Sequence, residues 1–232
     1  MKPALAGIKK KRGIMKAGIF DIDGTLWDST EKVAVSWRKT CTRHKVSCSH
    51  ITGERLKKEF GKLLPDIGRS VFPELPEEEV LRLTEECCEN ENRDLLANPP
   101  EAYPGVHELF RVLAGQMPVF IVSNCQAGYI EAMLKATGLE DFVTDHLCPG
   151  DTGEAKAENI CRIIDKYGLT DAVYVGDTAG DAKASANAGI PFVFSAYGFG
   201  HVENAAATIF SPPELLQLTE RPFPIVQGNR IS

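Results

Sequence analysis

The sequence predicts a doubly wound, Rossmann-like α/β fold, a parallel-sheet core interrupted by an inserted all-helical domain. Two observations carry this. Short unbroken runs of β-branched and aromatic residues alternate with helix-length stretches, the pattern of strands buried on both faces of a parallel sheet. One internal stretch of 73 residues, 29–101, has almost no such run and holds 26 of the 58 charged residues in the chain.

Taken in order, the strand-like runs are Ala17–Phe20, Pro118–Val122, Phe142-Val143, Ala172–Val175 and Pro191–Phe194. Between them the pattern predicts helices over 105–116, 126–137, 155–167 and 179–188. Gly138, Gly168 and Gly189 follow three of these, where a left-handed residue closes a helix. In the insertion, Val33, Trp37 and Cys41 recur at four-residue spacing, and 76–96 is a long acidic helical stretch. The segment 98–105, rich in proline, then breaks helix and returns the chain to the sheet. The expected division is a core of 1–28 and 102–232 with a helical cap of 29–101. Charge within the cap is split, with 10 basic and 4 acidic groups over 31–69 against 2 and 10 over 70–101. Two solvated faces of opposite sign are the expected reading, ahead of a basic rim over an anionic ligand.

Composition narrows the class. The chain has 232 residues, 43% hydrophobic and 25% charged, which excludes disordered, coiled-coil and collagen-like proteins. A net charge of −6 disfavours nucleic acid as a partner. No apolar run approaches the ~18 residues that span a bilayer, so no membrane partner is expected. Seven cysteines without a CxxC pair read as reduced thiols in a cytoplasmic protein. The basic run Lys9–Arg12 reads as a frayed terminus, and the apolar stretch before it is too short for a secretory signal.

The chemistry-bearing residues follow the strand-like runs. Asp21 and Asp23, at i and i+2 past the first strand, lie where ligands of open α/β sheets bind. Like charges this close call for a cation, and a hard divalent metal suits two carboxylates. Ser123 and Asn124 follow the second strong strand with a hydroxyl and amide donors for an anion. Lys156 opens a helix, a suitable place to hold phosphate. Asp177 and Asp181 follow a further buried strand; either could instead be a helix cap. Among weaker signals, Cys41, His44, Cys48 and His50 match no zinc-finger spacing. Cys125 is expected to pack, Trp27 to sit at the hinge of the cap, and Lys183 to point away from the strand ends. Arg55, Lys57 and Lys58 are the cap cations to inspect for leaving-group contacts.

Together, Asp21-x-Asp23-Gly24-Thr25-Leu26, Ser123-Asn124, Lys156 and Gly176-Asp177-Thr178-x-x-Asp181 resemble the four motifs of the haloacid dehalogenase-like hydrolase superfamily. The helical insertion is similar to the cap of its phosphoglycolate-phosphatase and β-phosphoglucomutase branch, and 197–200 and 211–216 resemble that branch's sheet closure and final helix. One departure is Ala157, where many relatives place proline after the lysine. The resemblance implies a magnesium-dependent phosphatase acting on a small phosphorylated metabolite, as monomer or homodimer. Asp21 would be the nucleophile that forms an aspartyl phosphate, and Asp23 the general acid and base. Magnesium would be held by Asp21, the Asp23 main-chain carbonyl and Asp177, with Asp181 a ligand or holding a metal-bound water. Ser123, the Asn124 backbone and Lys156 would bind the phosphoryl oxygens. The rivals are a phosphomutase, a phosphonatase and a phosphate-binding module without turnover.

Overall fold

The computed structural model describes residues 14–220 and Phe223. The basic run Lys9–Arg12 lies outside the described residues, as do most of both ends of the expected core.

The chain enters strand β1 (Ala17–Phe20) and then passes through helices α1 (Thr30–Arg43), α2 (Gly53–Lys57), α3 (Leu64–Val71) and α4 (Glu77–Ala97). It continues through α5 (Val106–Ala114), β2 (Val119–Val122), α6 (Tyr129–Thr137), β3 (Asp145–Leu147), α7 (Pro149–Thr152) and α8 (Lys156–Tyr167). The remainder is β4 (Ala172–Gly176), α9 (Ala179–Ala188), β5 (Phe192–Ser195) and β6 (Ala207–Ile209). A 3₁₀ helix at Pro212–Gln217 is the last element, at the place where a final helix was expected.

All six strands pair in parallel, in the order β3-β2-β1-β4-β5-β6. Their alternation sorts the core into two layers, because successive side chains leave a strand on opposite faces. Phe20, Val119, Ile121, Val173, Val175 and Val193 pack with Leu109, Phe110 and Leu113 of α5 and with Ile130 and Met133 of α6. Ile19, Phe120, Val122, Tyr174, Phe192 and Phe194 pack with Ile160, Ile163 and Ile164 of α8 and with Ala184 and Ala188 of α9. The chain builds β2 and β3 on one side of β1, then returns to its other side for β4. The resulting switch point between β1 and β4 is where such sheets open a crevice at their carboxyl ends.

One strand prediction is corrected. Phe142 closes a 3₁₀ turn, Glu140–Phe142, and packs edge-on against His107 with ring centroids 5.2 Å apart. The third strand is instead Asp145–Leu147. It lies at the sheet edge and is half-buried along its length, so polar Asp145 and His146 are tolerated and no apolar run marks it. The opposite edge strand, β6, is half-buried at Ala207, exposed at Thr208 and buried at Ile209, and was not anticipated.

Between β1 and α5, α4 runs alongside α1 and also meets α6 of the core. Its buried residues Val80, Thr84, Cys87, Glu91 and Leu95 recur at three- and four-residue steps. At the crossing points Trp27 is fully buried and forms isolated bridges with Asp23 and Ala102.

Phe110 is fully buried with its ring 4.9 Å from that of Phe20, at the centre of the layer under α5. Phe110→Ala is expected to lower stability by about 3–5 kcal/mol. Denaturant unfolding measures this, and a loss under about 1 kcal/mol would show that the layer is not tightly packed.

Candidate active site

The site begins with strand parity. Asp21 N–H donates to Val175 O at 2.9 Å, continuing the β1–β4 ladder one residue beyond β1. Asp21 therefore has the parity of Ile19 and shares the face covered by α8 and α9, whose first turns carry Lys156 and Asp181. Asp21, Asp177 and Asp181 are all buried, and one carboxylate oxygen from each lies within 4.8 Å of the others. Lys156, itself buried, places Nζ 2.6 Å from Asp181 Oδ1 and 3.0 Å from Asp21 Oδ1.

Close backbone approach makes this cluster possible. Gly24 has φ +79°, and a Cβ there would fall 2.1 Å from Asp177 Oδ2. A Cβ on Gly198 would meet Asp177 Cβ at 2.3 Å. Both loops thus press directly on the Asp177 carboxylate, which accepts from Phe199 N–H at 2.8 Å.

The carboxylates differ in what they already hold. Asp181 Oδ1 accepts from Lys156, while its Oδ2 accepts from Thr178 N–H at 2.9 Å and from Thr178 Oγ at 2.7 Å. Thr178 in turn caps α9 by accepting from Asp181 N–H, a reciprocal capping box. The N-cap of α9 is thus Thr178, not Asp181 or Asp177, and Asp181 is the third-residue partner of the capping box as well as a member of the cluster, with both its oxygens in use. The Asp23 side chain stands outside the cluster. It accepts from Ser29 Oγ at 2.6 Å and from the Tyr129 hydroxyl at 3.0 and 2.8 Å.

These surroundings set the proton affinities. Burial, reinforced by Asp181, raises Asp21 to about 6, with Lys156 and Ser123 pulling it back. Burial raises Asp23 to about 7 against the opposing donors Ser29 and Tyr129. Asp177 rises to about 8 through burial and its two carboxylate neighbours. Burial also acts on Asp181, but Lys156 and the Thr178 donors hold it below its usual value. Three carboxylates against one ammonium leave the cluster two charges short, a deficit that one divalent cation matches. The oxygen-only donor set, with Asp177 Oδ1 meeting only a 3.4 Å contact from Thr25, suits a hard ion such as magnesium.

Asp21, Asp23, Ser123 and Asn124 line one small cavity of about 30 Å³ together with Trp37, Phe60, Gly61, Glu91, Gln126 and Tyr129. Ser123 hydrogen-bonds Asp21. The Asn124 side chain turns elsewhere than expected: its Nδ2 donates to Gly61 O at 2.8 Å, tying the loop before α3 to the loop after β2. Lys183 is exposed, so Lys156 is the lysine that reaches the cluster.

Of the three cations of the helical insertion singled out above, Arg55 and Lys57 are engaged by other residues. Arg55 contacts Glu59 at 3.2 Å and Ser70, and Lys57 contacts Asp28 at 3.2 Å and Glu54; Lys58 lines no part of the cavity. His44 pairs with Glu86 and His50 with Val71 O, and the Cys41–His50 group forms no metal-binding cluster among the described residues. Cys125 is buried, and burial pushes its thiol well up, as for a packing residue.

Sequence reading missed Ser29, Tyr129 and Glu91, and gave Thr178 a place in a motif without a role. Glu91 is buried and accepts from Trp37 Nε1 and, at 2.5 Å, from Gln126 Nε2, and burial raises it to about 8. Its signal was available, since an acid sits on the apolar stripe of α4.

The family model for haloacid dehalogenase-like hydrolases matches residues 18–195. The chain is 26% identical over 219 residues to a phosphoglycolate phosphatase of Chromobacterium violaceum, covering 88% of this chain and 96% of that one. A phosphoglycolate phosphatase of Vibrio vulnificus is 28% identical over 207 residues, covering 82% and 87%. A haloacid dehalogenase-like family protein of Streptococcus pneumoniae superposes with TM-score 0.73 at 20% identity, covering 88% and 97%, and shares the fold.

The raised carboxylates make stability fall with pH in metal-free protein. Asp23 and Asp177 bind protons more tightly folded than unfolded, so their contribution is fully present below about pH 4 and is lost as pH rises through about 7 and 8. Melting temperature in chelator is expected to drop between pH 6 and pH 8, and to drop less in Asp177→Asn. An equal drop in that variant would contradict the assignment.

Proposed function

The chain belongs to the haloacid dehalogenase-like hydrolases, and we propose that it is a magnesium-dependent phosphatase cleaving a small phosphorylated metabolite through an aspartyl phosphate on Asp21. The observation that carries this reading is the pairing of two unlike aspartates in one cavity. Asp21 sits against Lys156 and Ser123 within the carboxylate cluster, whereas Asp23 faces the hydroxyls of Ser29 and Tyr129. The phosphoglycolate phosphatases of Chromobacterium violaceum and Vibrio vulnificus support the same reading.

In the proposed reaction Asp21 attacks phosphorus in line and becomes an acyl phosphate. Asp23, raised to about 7, is protonated for part of the time near neutral pH and gives that proton to the departing alkoxide. It then takes a proton from the water that attacks the acyl phosphate. Ser29 and Tyr129 hold its carboxyl in place for both transfers. Lys156 and Ser123 supply donors to the phosphoryl oxygens, and Lys156 moderates the charge of Asp21 as the anionic substrate approaches.

Asp21, Asp177 and the Asp23 main-chain carbonyl would hold magnesium, with Asp181 orienting Lys156 and the first turn of α9 beneath it. When bound, the ion neutralises charge on the transferring phosphoryl group.

Residues 29–101 form the proposed cap. A cavity of about 30 Å³ holds roughly one water, so substrate enters only when the cap lifts away from the core. The bond from Asn124 to Gly61 would be one latch of the closed form.

Asp21→Asn is expected to reduce phosphate release to background with the melting temperature retained. Asp23→Asn is expected to lower kcat by about 10²–10⁴-fold. Release assays with magnesium and p-nitrophenyl phosphate measure both, and near-normal turnover in Asp21→Asn would refute the aspartyl-phosphate route.

A further inference from the structure

The cavity that holds Asp21 and Asp23 is lined by three carboxylates, the third being Glu91, and by no lysine, arginine or histidine. An adjoining crevice of about 770 Å³ shares Leu64, Asn124, Cys125 and Gln126 with it and adds Glu85, Glu89 and Glu154, again with no basic residue. The nearby cations are committed elsewhere. Arg55 and Lys62 are bound to Glu59, Lys57 is bound to Asp28 and Glu54, and Lys156 lies between Asp21 and Asp181. Of the charge a substrate brings, the phosphoryl group is therefore the only part this site can neutralise.

Apart from the unpartnered Thr84 hydroxyl of the adjoining crevice, which can donate or accept, the polar atoms left for the leaving group are acceptors. Glu91 lines the cavity from α4, held by the Trp37 indole and the Gln126 amide, and each of its oxygens keeps a lone pair for a further donor. Asn124 Oδ1 is buried and has no hydrogen-bond partner. Hydroxyl groups satisfy such acceptors. A carboxylate satisfies none of them and adds a second buried anion with no counter-charge. Even when protonated, Glu91 supplies no positive charge.

Building on the phosphatase reading above, we propose that Glu91 selects an uncharged, hydroxyl-bearing leaving group. The substrate class is then a phosphomonoester of a neutral polyol or sugar, in contrast to the carboxylate-bearing ester named for the curated relatives. A site built to bind hydroxyls rejects analogues lacking them steeply, because its own buried acceptors are then left unpaired.

The test is phosphate release by the full chain with magnesium from glycerol phosphate, sorbitol phosphate, phosphoglycolate and p-nitrophenyl phosphate. The polyol esters are expected to exceed phosphoglycolate in kcat/KM by about tenfold or more, a conservative value for a lost hydroxyl contact. In Glu91→Gln, with folding checked by its melting curve, that ratio is expected to narrow, chiefly through KM. A wild-type preference for phosphoglycolate would overturn the role of Glu91 while leaving the phosphatase reading intact, as would an unchanged ratio in folded Glu91→Gln. No release from any ester, p-nitrophenyl phosphate included, would overturn the phosphatase reading itself. If the variant does not fold, the wild-type ratio alone decides.

Discussion

The buried ammonium of Lys156, held 2.6 Å from Asp181 and 3.0 Å from Asp21, is the contact on which the rest of the site depends. Without it three buried carboxylates would share one crevice with no compensating charge, and removing one partner of such a buried set costs about 3–5 kcal/mol. With it, the cluster remains two charges short. That shortfall shows in the carboxyl groups themselves, with Asp177 pushed up to about 8 and Asp21 to about 6, whereas Asp181, closest to the ammonium, stays low. The site tolerates its deficit by holding protons, and a divalent cation would displace them.

The fold delivers these groups by simple geometry. Parallel strands bring their carboxyl ends to one edge, and the reversal of strand order at β1 separates the loops after β1 and β4 enough to leave a crevice. Strand parity directs Asp21 toward the face that α8 and α9 cover. The first turns of those helices then supply Lys156 and Asp181. Gly24 and Gly198 complete the arrangement because a side chain at either position would occupy the space of Asp177. The same glycines that shape the loops therefore also wall the carboxylate off from solvent.

How far the sequence could be read follows from where each signal resides. The central strands β1, β2, β4 and β5 are buried on both faces, so they stand out as apolar runs. The edge strand β3 is half-buried and β6 is uneven in burial, and the first was misplaced onto Phe142-Val143 while the second went unnoticed. Asp21, Asp177, Asp181 and Lys156 were legible because each follows a strand or opens a helix. Ser29 and Tyr129 were not, since their meeting with Asp23 joins positions 6 and 106 residues away through the packing of the returning chain. The Asn124 side-chain amide, offered to an anion on sequence grounds, donates instead to the half-buried Gly61 carbonyl, which leaves the expectation for its backbone N–H untouched. Glu91 marks a further limit. One acid among many on a charged helix is noticed only once its place on the apolar stripe is weighed against its charge.

On the proposed reading, one divalent cation completes the charge of the Asp21–Asp177–Asp181–Lys156 cluster. Calorimetric titration of the metal-free protein with magnesium tests it most directly. Saturable binding at a single site is expected in the wild type, with its loss or severe weakening in folded Asp177→Asn. Equal affinity in the two proteins would contradict it.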